Sequence, residues 1–182
     1  MTNYRRDKTP NGLYFFTLVT NGRIHVFEND KSISFLKSAI RNVKQQNPFK
    51  IEAIVILPEH LHLIMQLPED DYNYSMRIAK IKKEFGKKYL KENSISIELS
   101  DSENKRNERG IWQRRFWEHR IKSHEDYLAH VNYIHYNPVK HNLVEHITEW
   151  KWSTYHKFFK SGFYDKDWGT KPVEEIKGVE WD

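Results

Sequence analysis

Two histidines separated by one residue form the first pattern that can bind a metal ion. His60 and His62 lie in the mostly apolar run HLHLIMQL (60–67), which predicts a buried strand. Side chains two residues apart on a strand point to the same side, roughly 6.6 to 7 Å apart. Two such imidazoles can chelate one divalent ion and leave other positions open for phosphate oxygens. The competing interpretation is a pair of partly buried histidines bonded to the backbone. A polar pair inside an apolar strand favours a specific partner, because burial without one is costly.

A tyrosine on a predicted helix is the second candidate for chemistry. Asp126, His130, Tyr133 and Asn137 follow one another at steps of four, three and four, so they share one helical face. A phenol is a poor nucleophile at its ordinary pKa near 10. Beside a metal-bound phosphate it can form a covalent phosphotyrosine, which keeps the phosphodiester bond energy and therefore suits cutting and rejoining. The chain has ten tyrosines, and most are expected to be core or surface aromatics.

The sequence predicts four strands and three helices that are interspersed along the chain. The order is strand, helix, strand, strand, helix, strand, helix. Between the second helix and the fourth strand, SISIEL (94–99) alternates like a strand, whereas SDSENKRNERG (100–110) is typical of a charged loop. Asn137-Pro138 is expected to end the last helix near Tyr136. This order is typical of an α+β, ferredoxin-like fold, in which helices pack on one face of a mostly antiparallel sheet. The predicted strands are 13–20, 51–57, 60–67 and 111–121, and the predicted helices are 32–46, 74–91 and 123–136.

Composition narrows the class of protein. The 182 residues include 30 Lys and Arg against 25 Asp and Glu, for a formal charge of +5, and 14% aromatic residues. The chain has no cysteine, which excludes a disulfide scaffold, a Cys-ligated metal site and a thiol nucleophile. No apolar run approaches the roughly 18 residues of a membrane span, and the N-terminus lacks the pattern of a signal peptide. We therefore expect a cytoplasmic, basic protein with nucleic acid as a natural partner.

The charge is unevenly placed. Residues 163–182 hold six acidic and three basic side chains, a net charge of −3, so residues 1–162 carry +8. This pattern predicts a basic body, 1–162, and an acidic C-terminal tail, 163–182, able to cover a polyanion site. The alternative is an ordinary solvated terminus.

A basic groove with stacking aromatic residues is what a single-stranded nucleic acid requires. For the aromatic candidates the more common role is core packing, and for the lysines it is a solvated helix face. The candidate stacking residues are Tyr4, Trp112 and Phe116, and the candidate basic residues are Arg5, Arg6, Lys80, Lys83, Lys87, Arg114 and Arg115.

Three segments together resemble a known family. The run IVILPEHLH (54–62) is similar to the paired-histidine motif of HUH endonucleases. The runs WQRRFWEHRI (112–121) and HVNYIHYNPVKHNLV (130–144) resemble the REP-associated tyrosine transposases, bacterial relatives of the single-tyrosine transposases of insertion sequences. The resemblance spans about 4–169 and makes 1–162 the catalytic domain. It implies Tyr133 as the nucleophile, with Tyr136 as a nearby rival.

The resemblance also implies a metal site and a reaction. His60 and His62 bind Mg²⁺ or Mn²⁺, and Asn137 stands where related transposases place a glutamine as third ligand. Tyr133 attacks single-stranded DNA, giving a 5′-phosphotyrosine and a free 3′-hydroxyl that can later rejoin strands. The DNA carries hairpin-forming REP-like palindromes, and the protein is a monomer or homodimer. Two alternatives stay open: a catalytically silent DNA-hairpin binder, and an RNA-binding ferredoxin-like domain that stacks bases on strand 13–20.

Overall fold

A four-stranded antiparallel sheet organises the chain, with strands 50–56, 60–66, 13–19 and 117–120 side by side in that order. The structure is a computed structural model that describes residues 7–95 and 110–170. The α+β, ferredoxin-like prediction is confirmed, and most predicted elements agree with the structure to within two residues. The strands are β1 (Leu13–Val19), β2 (Lys50–Ile56), β3 (His60–Gln66) and β4 (Trp117–Arg120); the helices are α1 (Asp30–Gln46), α2 (Tyr74–Glu92), α3 (His124–Lys140) and α4 (Tyr155–Lys160).

Helices cover both faces of this sheet, so the expectation of helices on one face is wrong. Tyr14 and Phe16 of β1 belong to a cluster that includes residues of α1 and α2. Phe15 belongs to a second cluster, with Val131 and Tyr133 of α3. The physical reason is that β1 is buried on both faces, since successive strand residues point to opposite sides and all five central residues are buried. A strand of this kind needs a helix on each side.

The strand predicted over 111–121 is correct only for its last part. In the register of the β1–β4 pair, Thr20 would face residue 114, but it bridges to Trp112 instead. Two extra residues therefore loop out between Trp112 and β4, and Arg114 and Arg115 are exposed in this stretch. The aromatic pattern predicted a strand because Trp112 and Phe116 both pack against the α1–α2 side of the sheet.

The predicted end of the last helix at Asn137-Pro138 is also wrong. Ser123 is the N-cap of α3, as expected, and its Oγ atom accepts a hydrogen bond from the backbone amide of Asp126 at 3.1 Å. Pro138 lies in the final turn, and the helix continues to Lys140 before Asn142 adopts a left-handed conformation at φ 54°. A proline in this position removes only one late helical hydrogen bond. The extra turn keeps Asn137 and Lys140 on the helix that carries Tyr133.

Part of the predicted acidic tail packs on the body. Tyr164 and Trp168 stack with ring centroids 3.9 Å apart and cover Tyr155 of α4. Residues 171–182 lie outside the described residues, as do 96–109, which include most of the strand-like SISIEL run and almost all of the predicted charged loop. The division at 162/163 stays a prediction. Within 7–95 and 110–170, no helix is long and apolar enough to cross a membrane.

Buried His135 on α3 predicts a pH-dependent stability. Its ring nitrogens lie 2.7 Å from the Tyr164 hydroxyl and 2.8 Å from the Thr154 hydroxyl. Burial, with a smaller contribution from the charge of His156, lowers the pKa of His135 from 6.5 to about 3. Below pH 6.5 the unfolded chain therefore binds a proton that the folded chain does not bind. The free energy of unfolding should fall as the pH is lowered, by up to about 2 kcal/mol at pH 5.

The variant His135→Gln should flatten the dependence of the free energy of unfolding on pH between 6.5 and 5, as measured by urea unfolding. His124→Gln, which changes an exposed histidine on the same helix, is the control and should keep the full dependence. An equal slope in the wild-type and His135→Gln proteins would contradict this origin.

Candidate active site

His60 and His62 lie side by side on β3, a central strand of the sheet. Their ring centroids are 4.8 Å apart, and the side chains are almost fully buried. Ile64, two residues further along the same strand face, packs in the α3 cluster, so both histidines point toward α3. The predicted shared face is confirmed.

Each ring is held through its Nδ1 atom. His60 Nδ1 lies 2.9 Å from Glu59 Oε1, and His62 Nδ1 lies 2.9 Å from the hydroxyl of Thr17, its register partner on β1. A partner on Nδ1 fixes the ring orientation, and Nε2, at the far end of the ring, is then the atom that could hold a metal. The arrangement of the two buried histidines fits a ligand role.

Helix α3 lays three residues across the histidine pair. Tyr133, Asn137 and His141, the residue that caps α3, follow one another at steps of four, so they line one side of the helix. The Tyr133 ring lies 5.2 Å from the His62 ring, and the His141 ring lies 5.3 Å from the His60 ring. Asn137 therefore lies between these two contacts, above the histidines.

The side chain of Asn137 fits the role of an oxygen ligand. It is fully buried, and neither Oδ1 nor Nδ2 has a hydrogen-bond partner among the described residues. A buried amide without partners is costly, so such a group calls for a further ligand. Two imidazoles and one amide oxygen form a donor set that a divalent ion accepts.

The ammonium group of Lys140 lies next to the phenol of Tyr133. Lys140 Nζ lies 3.4 Å from the Tyr133 hydroxyl oxygen and 4.9 Å from the ring centroid. Lys140 and His141 were missed by the sequence interpretation, because the helix was expected to end before them. Their signal was present in the NPVKH run, at seven and eight residues after Tyr133. Tyr136, the rival nucleophile, is half-buried.

The other members of the predicted helical face form a separate group. Asp126 and His130 do lie on the same helix face as Tyr133, but their side chains contact each other, and Asp126 also contacts His119 of β4. Phe15 lies between this group and the histidine pair, with its ring 4.8 Å from His130 and 5.4 Å from His62. The ring of Phe15 therefore separates this group from the candidate active site.

The predicted nucleic-acid residues are not brought together at this site. Lys83 and Lys87 are exposed on α2, whose buried residues pack on the sheet face opposite Tyr133. Lys80 is half-buried and donates to Asn47 at 2.6 Å. Trp112 and Phe116 pack against the core, and Arg114 and Arg115 are exposed before β4. Tyr4, Arg5 and Arg6 lie outside the described residues.

Comparison with known proteins agrees with the geometry. The family model described as "Transposase IS200 like" matches residues 8–137. A REP-associated tyrosine transposase of Haemophilus influenzae is 46% identical over 178 residues, covering 98% of this chain and 99% of the relative. The REP-associated tyrosine transposase of Escherichia coli is 39% identical over 169 residues, covering 92% and 91%.

A solved structure gives the same result in three dimensions. The structure of a REP-associated tyrosine transposase bound to a REP hairpin matches this fold with a TM-score of 0.76 and 36% identity, covering 96% of each chain. With the family model, the whole-length relatives and the fold in agreement, the chain belongs to the IS200-like transposases and, among them, to the REP-associated tyrosine transposases.

Proposed function

We propose that this chain nicks and rejoins single-stranded DNA next to hairpin-forming REP-like palindromes, through a metal-assisted 5′-phosphotyrosine at Tyr133. The observation that carries the proposal is the contact of the Tyr133 ring with His62, 5.2 Å away, in a buried site. The related structure bound to a REP hairpin supports the choice of DNA. A protein that only binds DNA or RNA needs neither this tyrosine nor the oriented histidines.

The chain's own residues divide the chemistry. Tyr133 forms a bond from its phenol oxygen to the scissile phosphorus, and the bond from phosphorus to the 3′-oxygen breaks. The phenol proton passes through solvent to that leaving oxygen, so the products are a 5′-phosphotyrosine and a 3′-hydroxyl. Attack by a 3′-hydroxyl on the same phosphorus reverses the step and restores the tyrosine, which rejoins strands without an outside energy source.

His60, His62 and Asn137 would hold a divalent ion, Mg²⁺ or Mn²⁺, which would supply Lewis-acid polarisation of the phosphate and a template for it. Lys140 lies 3.4 Å from the attacking oxygen, where its charge stabilises the negative charge that passes from that oxygen to the phosphate. Glu59 and Thr17 keep both imidazoles oriented before DNA arrives.

DNA contacts outside the site are assigned to two surfaces. Arg114 and Arg115, together with Tyr4, Arg5 and Arg6, are proposed to contact the hairpin, and Lys80, Lys83 and Lys87 to offer a basic surface on α2. We also place the protein in the cytoplasm, where its DNA substrate is found.

The variant Tyr133→Phe should lose the covalent adduct by at least about 1,000-fold while hairpin binding is kept. Phenylalanine preserves the ring against His62 but lacks the attacking oxygen. The measurement is denaturing electrophoresis of a labelled single strand that carries a hairpin, incubated with Mn²⁺, with fluorescence anisotropy for binding. Tyr136→Phe is the matched control and should form adduct normally. An adduct that survives in Tyr133→Phe and disappears in Tyr136→Phe would move the nucleophile to Tyr136.

Removal of divalent ions with EDTA should stop nicking, and either Mg²⁺ or Mn²⁺ should restore it. The reason is that His60, His62 and Asn137 are proposed to act only through a bound ion. The rate of adduct formation is followed after dialysis, with hairpin binding in EDTA as the control for an intact fold. Nicking at the full rate in EDTA would contradict the ligand assignment.

The variant Glu59→Gln should raise the Mn²⁺ concentration for half-maximal nicking by about 10- to 100-fold, with the rate recovered at saturating Mn²⁺. A neutral amide holds the His60 ring less firmly than the carboxylate does. It also makes the imidazole a weaker electron-pair donor to the metal ion. Glu28→Gln is the matched control, because Glu28 contacts an exposed histidine, His25, at the same kind of distance. An unchanged Mn²⁺ requirement in Glu59→Gln would show that Glu59 does not orient a ligand.

A further inference from the structure

A second group of metal-ligating side chains joins β4 to α3. His119 Nε2 lies 2.9 Å from Asp126 Oδ2, and His130 Nδ1 lies 3.0 Å from Asp126 Oδ1. The three ligand atoms lie within 4.8 Å of one another. Donors held at about 2.0 to 2.1 Å from a tetrahedral ion are separated from each other by roughly 3.4 Å. The two contacts to Asp126 are within about 0.5 Å of this separation, and the two histidine donors are at most about 1.4 Å beyond it, so side-chain rotations can bring all three to one ion.

We propose that His119, Asp126 and His130 form a second metal site, which binds a first-row transition ion such as Zn²⁺ and ties the edge strand β4 to α3. Two imidazoles and one carboxylate are the donor set of zinc, cobalt and nickel sites, whereas Mg²⁺ prefers oxygen ligands. The fourth position opens to solvent, because His119 and Asp126 are partly exposed while His130 is buried.

The local fold holds the three ligands in place without help from the catalytic residues. Asp126 and His130 are four residues apart on α3, so they lie on one side of the helix. His119 lies opposite Phe15 of β1, and its ring stacks on the His130 ring at 4.7 Å and 11°. His130 Nδ1 also lies 2.8 Å from the backbone carbonyl oxygen of Asp126. That oxygen keeps its helical hydrogen bond when Nδ1 turns to an ion.

The protonation states near neutral pH support this donor set. Burial lowers the pKa of His130, against the opposing effect of its bonds to Asp126. Burial raises the pKa of Asp126, but the hydrogen bonds from His119 and the amide of Lys122 outweigh it, and the net shift is downward. A neutral imidazole and an ionised carboxylate are the forms that bind metals.

Such an ion has a clear structural effect. β4 is a four-residue edge strand that pairs only with β1 among the described strands, so the ion gives it a second attachment. Phe15 contacts His130 on one side and both His62 and Tyr133 on the other. The second site therefore fixes the half of α3 that precedes the nucleophile.

Cobalt binding to a protein without the catalytic histidines tests the proposal independently of DNA chemistry. The double variant His60→Gln/His62→Gln should bind one Co²⁺ per chain, with visible absorption bands of a low-coordinate site, and Zn²⁺ should displace it. Adding His119→Gln should weaken Co²⁺ binding by roughly 100-fold or more and remove the rise in Tm that Zn²⁺ gives. Adding His124→Gln instead, at an exposed histidine of the same helix, should change neither.

Two outcomes would overturn the second site. One is a double variant that binds no Co²⁺, and the other is a Co²⁺ spectrum and affinity that survive His119→Gln. His119 is the test residue because it is partly exposed, and circular dichroism checks that the variant folds. Failure of the proposed DNA reaction would instead appear as a wild-type chain that forms no adduct, whatever the Co²⁺ result.

Discussion

The burial of two imidazoles side by side in a central strand is the constraint on which the rest of the structure depends. Polar groups at nearly zero exposure are tolerated only when their hydrogen-bonding atoms have partners. One side of each ring is satisfied, by Glu59 of the β2–β3 connection for His60 and by Thr17 of β1 for His62. The other side faces α3, and there the fold supplies a phenol, a buried amide and a lysine within a single helix.

Burial of β1 on both sides explains why the sheet carries helices on each face, and the candidate site occupies one of these faces. The cluster against α1 and α2 supplies most of the large aliphatic core. The α3 face is smaller and mixes apolar residues such as Val131 and Ile134 with the polar residues of the site. A site placed between a sheet and one helix needs little rearrangement, because the proposed nucleophile and the proposed ligands lie on rigid elements. Pro138 near the helix end is compatible with this, since it lies after the turns that position Tyr133 and Asn137.

Residue identity and period were enough to predict part of the site. His60 and His62 follow the strand period, and Tyr133 and Asn137 follow the helical period, so each pair was expected on one face. Partners that depend on strand register could not be predicted: Thr17 meets His62 only because β1 and β3 pair as they do, and His119 meets α3 only through β4. Lys140 was missed because a proline was interpreted as a helix end. The α2 lysines lie on the side of the sheet opposite Tyr133, and this could not be predicted without knowing which sheet face each helix covers.

The most direct test of the account is the anomalous diffraction of Mn²⁺ in crystals of the wild-type protein grown with a hairpin-bearing single strand. We expect a manganese peak within bonding distance of Nε2 of His60 and His62 and of Oδ1 of Asn137. The Tyr133 oxygen should face the phosphate at that ion. A crystal whose only manganese peak lies away from the two histidines, with Tyr133 turned from the DNA, would contradict it.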